Sequence, residues 1–228
     1  MHPTAMHNGR LFFECYAARM PAGAKVVDIG AQDLNGSLKT VCPPHLEYIG
    51  VDFVAGNGVD IVLDDPYRLP FADDSVDVVV SSSCFEHSEM FWVLFLEIVR
   101  VLKSPGCFYL NAPANGDFHR HPVDCWRFYP DSGGALVTWA SRNGQDVCLL
   151  ESYTSRQNGD IWNDFVAVFL KGTAHGAAFP ERITARFGDF ANGRVAESPA
   201  ILNPRQHPED LEKLKLIARL INNEIRIG

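Results

Sequence analysis

The 228-residue sequence has no Cys-x-x-Cys pair, no block rich in lysine or arginine, and no apolar run long enough to cross a bilayer. Each absence excludes a class of reading. The six cysteines (Cys15, Cys42, Cys84, Cys107, Cys125 and Cys148) are scattered along a chain of ordinary size, so they read as reduced core residues rather than a disulfide framework. Lysine and arginine number 20 against 28 acids, a formal net charge of −8, which argues against a nucleic-acid or anionic-membrane partner. The N-terminus lacks the charged-then-apolar layout of a secretory signal. The expected location is therefore cytoplasmic, where the sequon Asn35-Gly36-Ser37 meets no glycosylation machinery.

One further absence is the most informative. The β-branched run Val26 to Ile29 reads as a buried strand and stops at Gly30. Asn35-Gly36 makes a second turn, Ser37 is placed to cap a following helix, and a second apolar run ends in Asp52. A strand, a glycine turn and an acid closing the next strand frame a ribosylated cofactor, with Asp52 accepting from the ribose hydroxyls. The dinucleotide fingerprint G-x-G-x-x-G is nevertheless missing: Gln32 and Asn35 stand where its second and third glycines fall. Asp28 would also set a carboxylate near a pyrophosphate. S-adenosylmethionine carries no phosphate but a sulfonium and an ammonium, and it tolerates nearby acids.

Further along, a helix is expected over Arg10 to Met20 and strands over Val59–Leu63, Val76–Val80 and Cys107–Leu110, with a helix over Glu89–Lys103. Alternating strands and helices imply a parallel sheet covered on both faces. Asp146–Tyr153 and Asp164–Lys171 both read as strands, and the link between them is too short for a crossover helix. Those last two strands should therefore pair antiparallel.

The Asp28-to-Ser37 loop resembles the D-x-G-x-x-x-x-N-G-S loop of class I S-adenosylmethionine-dependent methyltransferases of the type 11 group. The strings Arg68-Leu-Pro-Phe-Ala-Asp-Asp-Ser-Val-Asp77 and Glu97-Ile-Val-Arg-Val-Leu-Lys-Ser-Pro-Gly106 resemble the same group, in the right order and spacing. The resemblance covers about Val26 to Lys171. It implies a Rossmann-like doubly wound α/β sheet of about seven strands, mostly parallel with an antiparallel last strand, and helices on both faces. By the same match Asp28, Gly30, Ala31, Gln32, Gly36 and Ser82 would line the cofactor site. Phe53 would pack on the adenine, and Asp65 or its neighbour Asp64 would accept from the adenine amino group.

Ligands of such sheets bind outside the carboxyl ends of the strands. The loop after the fourth strand carries Glu86-His87. The loop after the fifth, Asn111 to Pro130, is too rich in aromatics, histidines and arginines for a linker. Methyl transfer asks mainly for alignment and exclusion of water, but a hydroxyl acceptor must also lose its proton. His87 is a candidate base, with His119 and His121 as rivals. Glu86, Trp126, Arg127 and Tyr129 are candidate acceptor contacts, although Arg127 equally suits a structural pair with Asp124 or Asp131. His119-x-His121-x-x-Asp124 has the donors of a metal site, but its spacing matches no metal motif and Pro122 breaks helical geometry. The loop is thus expected to be a substrate pocket without metal.

Residues 172–228 read as an extension of the 1–171 domain: an irregular arm, then a helix opened by Pro208 and acids. Its stripe of Leu211, Leu214, Ile217, Ile221 and Ile225 needs cover from the domain itself or from a second copy in a homodimer. The reading is a cytoplasmic methyltransferase acting on a small-molecule or glycan-linked acceptor, at oxygen. A binding module that keeps the cofactor without catalysis and a nucleotide-dependent oxidoreductase are the alternatives.

Overall fold

The computed structural model describes residues 1–225. The chain runs α1 (Pro3–Phe12), β1 (Lys25–Ile29), β2 (Glu47–Asp52), β3 (Ile61–Val62), β4 (Val76–Ser82), α2 (Phe91–Val101), β5 (Leu102–Pro113), α3 (Ser132–Arg142), β6 (Val147–Ser155), β7 (Asp164–Lys171), β8 (Phe190–Val195), β9 (Ser198–Leu202) and α4 (Glu209–Ile221). All nine strands join one sheet in the order β3-β2-β1-β4-β5-β7-β6-β8-β9. The strands from β3 to β5 pair in parallel, and β7 pairs antiparallel with both β5 and β6. The expected reversal is therefore present, and a hairpin extends the sheet beyond the expected seven strands.

Period-two alternation sends neighbouring side chains of each central strand into different cores. Val27, Val79, Phe108 and Leu110 face α2 and α3, where Leu94, Phe95, Ile98 and Leu136 cover them. Val26, Val78, Val80 and Tyr109 face the opposite layer, covered by Phe12, Phe13 and Tyr16. That second layer differs from expectation. The helix begins at Pro3, not Arg10, and continues past Phe12 as a π-helical turn, Phe13–Ala17. Its first turns hide from a search for apolar spacing because they bury polar and small residues. Thr4 bonds the Asp160 carboxylate, and Asn8 donates to Asn111 on β5. After Ser37 there is no crossover α-helix but one 3₁₀ turn, Leu38–Val41, capped by the Ser37 hydroxyl. Leu38 sits against Gly9, where a Cβ would lie 2.2 Å from its Cδ2. The N-terminal helix thus fills the layer that a β1–β2 crossover helix would occupy.

The two later strings that carried the family resemblance, unlike the Asp28–Ser37 loop, prove to be structural. Arg100 donates to Glu97, Asp73 and the Leu69 and Phe71 carbonyls, and Leu69 N–H donates to Glu97. They lock α2 to the β3–β4 connection. The arm expected to be irregular contains β8, which pairs with β6, and β9. Asn192, with φ 53°, and Gly193 break its alternation, which conceals the strand in the sequence. Helix α4 docks by polar contacts, Glu209 with Arg156 and Asn163, and Asp210 with Asn115 and Gln157. Its apolar stripe stays largely in solvent, Leu214 at 61% and Ile221 at 73% exposure. Among the described residues no helix is long and apolar enough to cross a membrane.

Phe108 is fully buried at the sheet centre and packs on Phe85, Phe95 and Phe169. Phe108→Ala should therefore lower the unfolding free energy in urea by about 3–5 kcal/mol. A loss below about 1 kcal/mol would show that this layer is not the core.

Candidate functional site

The carboxyl ends of β1, β2 and β4, with the loops after β4 and β5, enclose one cavity of about 700 Å³. That size is typical of small-molecule sites. Its two ends differ in chemistry.

At one end β1 turns away at Gly30, whose φ of 81° and position against Cys84, 2.6 Å from a notional Cβ, admit only glycine. The turn is pinned to β2, because Gly30 and Ala31 N–H both donate to the Val51 carbonyl. Asp52 lies 8% exposed in the wall, its carboxylate oriented by N–H donors from Gln32 and Val54. Each of its oxygens keeps a further lone pair for a ligand. Phe53, 46% exposed, stands at the rim, and Gly36 and Ser82 complete this wall. The Ser82 hydroxyl is buried without a partner, as is that of its neighbour Ser83. Asp28 also lines the cavity but accepts from the Tyr48 hydroxyl at 2.5 Å. Burial pushes its carboxyl up to about 7, against the opposing pull of that hydrogen bond.

The other end is built by two loops stitched together. Glu86 and His87 sit on a 3₁₀ turn after β4, and Cys125 and Trp126 N–H both donate to the Glu86 carbonyl. His87 Nδ1 lies 2.5 Å from the Val123 carbonyl, and His119 Nδ1 lies 3.0 Å from that of Asp117. A carbonyl can only accept, so each neutral ring carries its proton on Nδ1 and leaves the Nε2 lone pair free. Burial holds His87 below the usual imidazole range, favouring that neutral form. The His87 and His119 rings meet edge to face with centroids 4.9 Å apart, and His121 is 5.8 Å from His87. Glu86 is 1% exposed and its Oε2 has no hydrogen-bond partner. Burial pushes its carboxyl up to about 8.

The cavity thus gathers Asp28, Gly30, Ala31, Gln32, Gly36, Asp52, Phe53, Ser82, Glu86, His87, His119 and His121. Five other candidates lie outside its wall. Asp64 and Asp65 are exposed, and Asp65 is engaged in turning the chain by accepting from Tyr67 N–H. Leu63, Pro66 and Tyr67 line the cavity there instead. Trp126 donates its indole N–H to the Ser88 carbonyl and packs on Phe91 and Trp92. Arg127 forks onto Asp124 and also holds the Asp117 carbonyl, which makes it the clasp of the loop; Tyr129 is 66% exposed. The same ion pair engages both Asp124 oxygens, one of which also accepts the His119 N–H, so Asp124 is occupied as a partner of Arg127 and of the loop backbone. Sequence reasoning missed His2 and Trp162, which close the cavity from the N-terminus and the β6–β7 link. An apolar pair, Ile161-Trp162, in a largely polar connection was the available signal.

A family model described as a methyltransferase domain matches residues 17–110. That segment, under half of the chain, is what resembles the methyltransferase domain family. An uncharacterized methyltransferase of Mycobacterium marinum is 32% identical over 130 residues, covering 57% of this chain and 47% of that protein. The chain spans about half the length of that curated relative. Among solved structures, the Burkholderia thailandensis 1,6-didemethyltoxoflavin N1-methyltransferase, bound to its substrate and S-adenosylhomocysteine, superposes with a TM-score of 0.57 at 14% identity. That match covers 73% of this chain and 78% of the other. The [4+2]-cyclase SpnF superposes at 0.52 with 13% identity, covering 73% and 81%. What the chain shares with both is the doubly wound α/β fold. At such identities these likenesses show the fold alone, and SpnF, a cyclase, shows that this fold hosts more than one chemistry.

Asp28 supplies a test of the wall. A carboxyl whose folded pKa is raised contributes its stability in full below the unfolded value, near 4, and loses it as pH climbs to about 7. Asp28→Asn should therefore gain stability over the wild type as pH rises through that window, read by urea unfolding. Parallel pH profiles for the two proteins would contradict a buried, protonated Asp28.

Proposed function

We propose that the protein is an S-adenosylmethionine-dependent methyltransferase that methylates an oxygen of a small-molecule or glycan-linked acceptor. The observation that carries this reading is a single cavity with a buried strand-end acid, Asp52, at one end and uncommitted imidazole lone pairs at the other. The cofactor lies along Gly30, Asp52 and Phe53: the Asp52 carboxylate takes the ribose hydroxyls, and Phe53 stacks on the adenine. The unpartnered hydroxyl of Ser82 fits a ligand rich in polar groups. No run of closely spaced glycines faces a helix N-terminus, and the segment after Ser37 is a 3₁₀ turn, so a pyrophosphate has no cradle. The family match to residues 17–110 and the S-adenosylhomocysteine bound to the Burkholderia neighbour support the same cofactor.

The acceptor occupies the end lined by Glu86, His87, His119 and Trp162. Bound there, it lies beside the cofactor's methyl group with little water between, which is most of what methyl transfer requires. Its hydroxyl proton passes to the imidazole cluster, whose free Nε2 atoms are the available acceptors. The aromatic face of Trp162 and the three imidazoles suit a planar or sugar-ring acceptor.

Asp52→Ala should weaken S-adenosylmethionine or S-adenosylhomocysteine binding at least about tenfold by calorimetry, the loss of a charge-assisted hydrogen bond. The fold should be unchanged by circular dichroism. Wild-type affinity in this variant would remove the cofactor assignment.

A further inference from the structure

The histidine end of the cavity has a property that a proton acceptor alone does not need. Glu86, His87 and His119 each offer one ligand atom, and these atoms all lie within 4.8 Å of one another. His87 Nε2 and Glu86 Oε1 are 3.6 Å apart. Metal–nitrogen and metal–oxygen bonds of about 2.0–2.2 Å place the donors of a tetrahedral site roughly 3.4 Å apart. The trio therefore needs side-chain adjustments of about 1.5 Å at most.

Three observations separate this cluster from a chance gathering of polar groups. Both imidazoles donate Nδ1–H to backbone carbonyls, of Val123 and Asp117, the outer contact that fixes a ligating histidine with Nε2 free. Asp124, 3.6 Å from His119 Nδ1 and itself clasped by Arg127, backs one of these rings. Finally, Glu86 Oε2 is buried without any partner beside the cavity, which is costly for a carboxyl unless a cation or donor arrives there.

We propose that Glu86, His87 and His119 form a binding site for one divalent transition-metal cation of the zinc type. Two imidazoles and one carboxylate are the donor set of open, three-ligand metal sites, which leave a position for an exogenous oxygen. Here that position opens into the cavity. The proposal rests on the reading of this end as the acceptor end, and deepens it. An acceptor hydroxyl in the open position is coordinated and loses its proton more readily than in water. His121, outside the donor trio, is then the imidazole left free to take that proton. The donors differ from the His119, His121 and Asp124 set whose residue types, though not whose spacing, are those of a metal site, because folding gives Asp124 to Arg127 and brings in the preceding loop instead.

The test uses untagged full-length protein stripped with a chelator. Titration with Zn²⁺ against a chromophoric competitor should show one bound equivalent. Co²⁺ should give visible bands of a four- or five-coordinate site without thiolate charge-transfer absorption, which excludes nearby Cys84. Removing a group that only hydrogen-bonds to a metal ligand already costs about 10–100-fold in affinity, so Glu86→Gln and His119→Ala should each weaken Zn²⁺ binding at least about a hundredfold. His119 lies in a surface loop, so its variant stays folded even if the buried Glu86 variant does not. No stoichiometric Zn²⁺ or Co²⁺ binding by the wild type, or equal affinity in the His119 variant, would overturn the site. Intact S-adenosylmethionine binding alongside that result would leave the methyltransferase reading standing. Metal binding without cofactor binding would remove the methyltransferase reading alone.

Discussion

The Glu86 carbonyl, taking N–H donors from both Cys125 and Trp126, is the bond on which the polar end of the cavity depends. It ties the loop after β4 to the loop after β5, two segments that a doubly wound sheet otherwise leaves free at its carboxyl edge. The same stitch brings Val123 against His87 and, through the Asp124–Arg127 clasp, sets His119 opposite it. Without it His87 would lie on one loop and His119 and His121 on another, with nothing to hold the two together. The sheet supplies only the platform, and the reactive geometry is a property of these few hydrogen bonds.

The other end of the cavity is organised by a different constraint, the close approach of β1 and β4. Gly30 must turn with positive φ while Cys84 fills the space a Cβ would need. That contact presses the glycine turn toward β4, where Ser82 and Ser83 leave their hydroxyls without partners. With the crossover helix reduced to a 3₁₀ turn, the N-terminal helix covers the opposite layer and carries His2 to the cavity rim. The N-terminal segment and the glycine turn therefore line the same cavity.

Sheet architecture was legible in the chain because Val26–Ile29, Val76–Val80 and Asp164–Lys171 are apolar runs whose spacing admits few topologies. Asp52, Gly30 and Glu86-His87 were legible because their places follow from strand ends. What escaped the sequence was whatever depended on three-dimensional partnership. Arg127 and Trp126 have the chemistry of substrate contacts, yet one clasps Asp124 and the other anchors to the Ser88 carbonyl. Asp65 has the chemistry of an adenine acceptor, yet it turns its own chain at Tyr67. The first turns of α1 were hidden because Thr4 and Asn8 are buried by hydrogen bonding rather than by apolarity. A residue's type states what it can do, and only its neighbours state what it is already doing.

The account turns on which cofactor fills the cavity. The direct measurement is a calorimetric titration of the purified protein with S-adenosylmethionine, S-adenosylhomocysteine and nicotinamide dinucleotides in parallel. Saturable one-to-one binding of the sulfonium cofactor or its demethylated product, with no dinucleotide binding, is the predicted result. Tight dinucleotide binding without S-adenosylmethionine binding would contradict it.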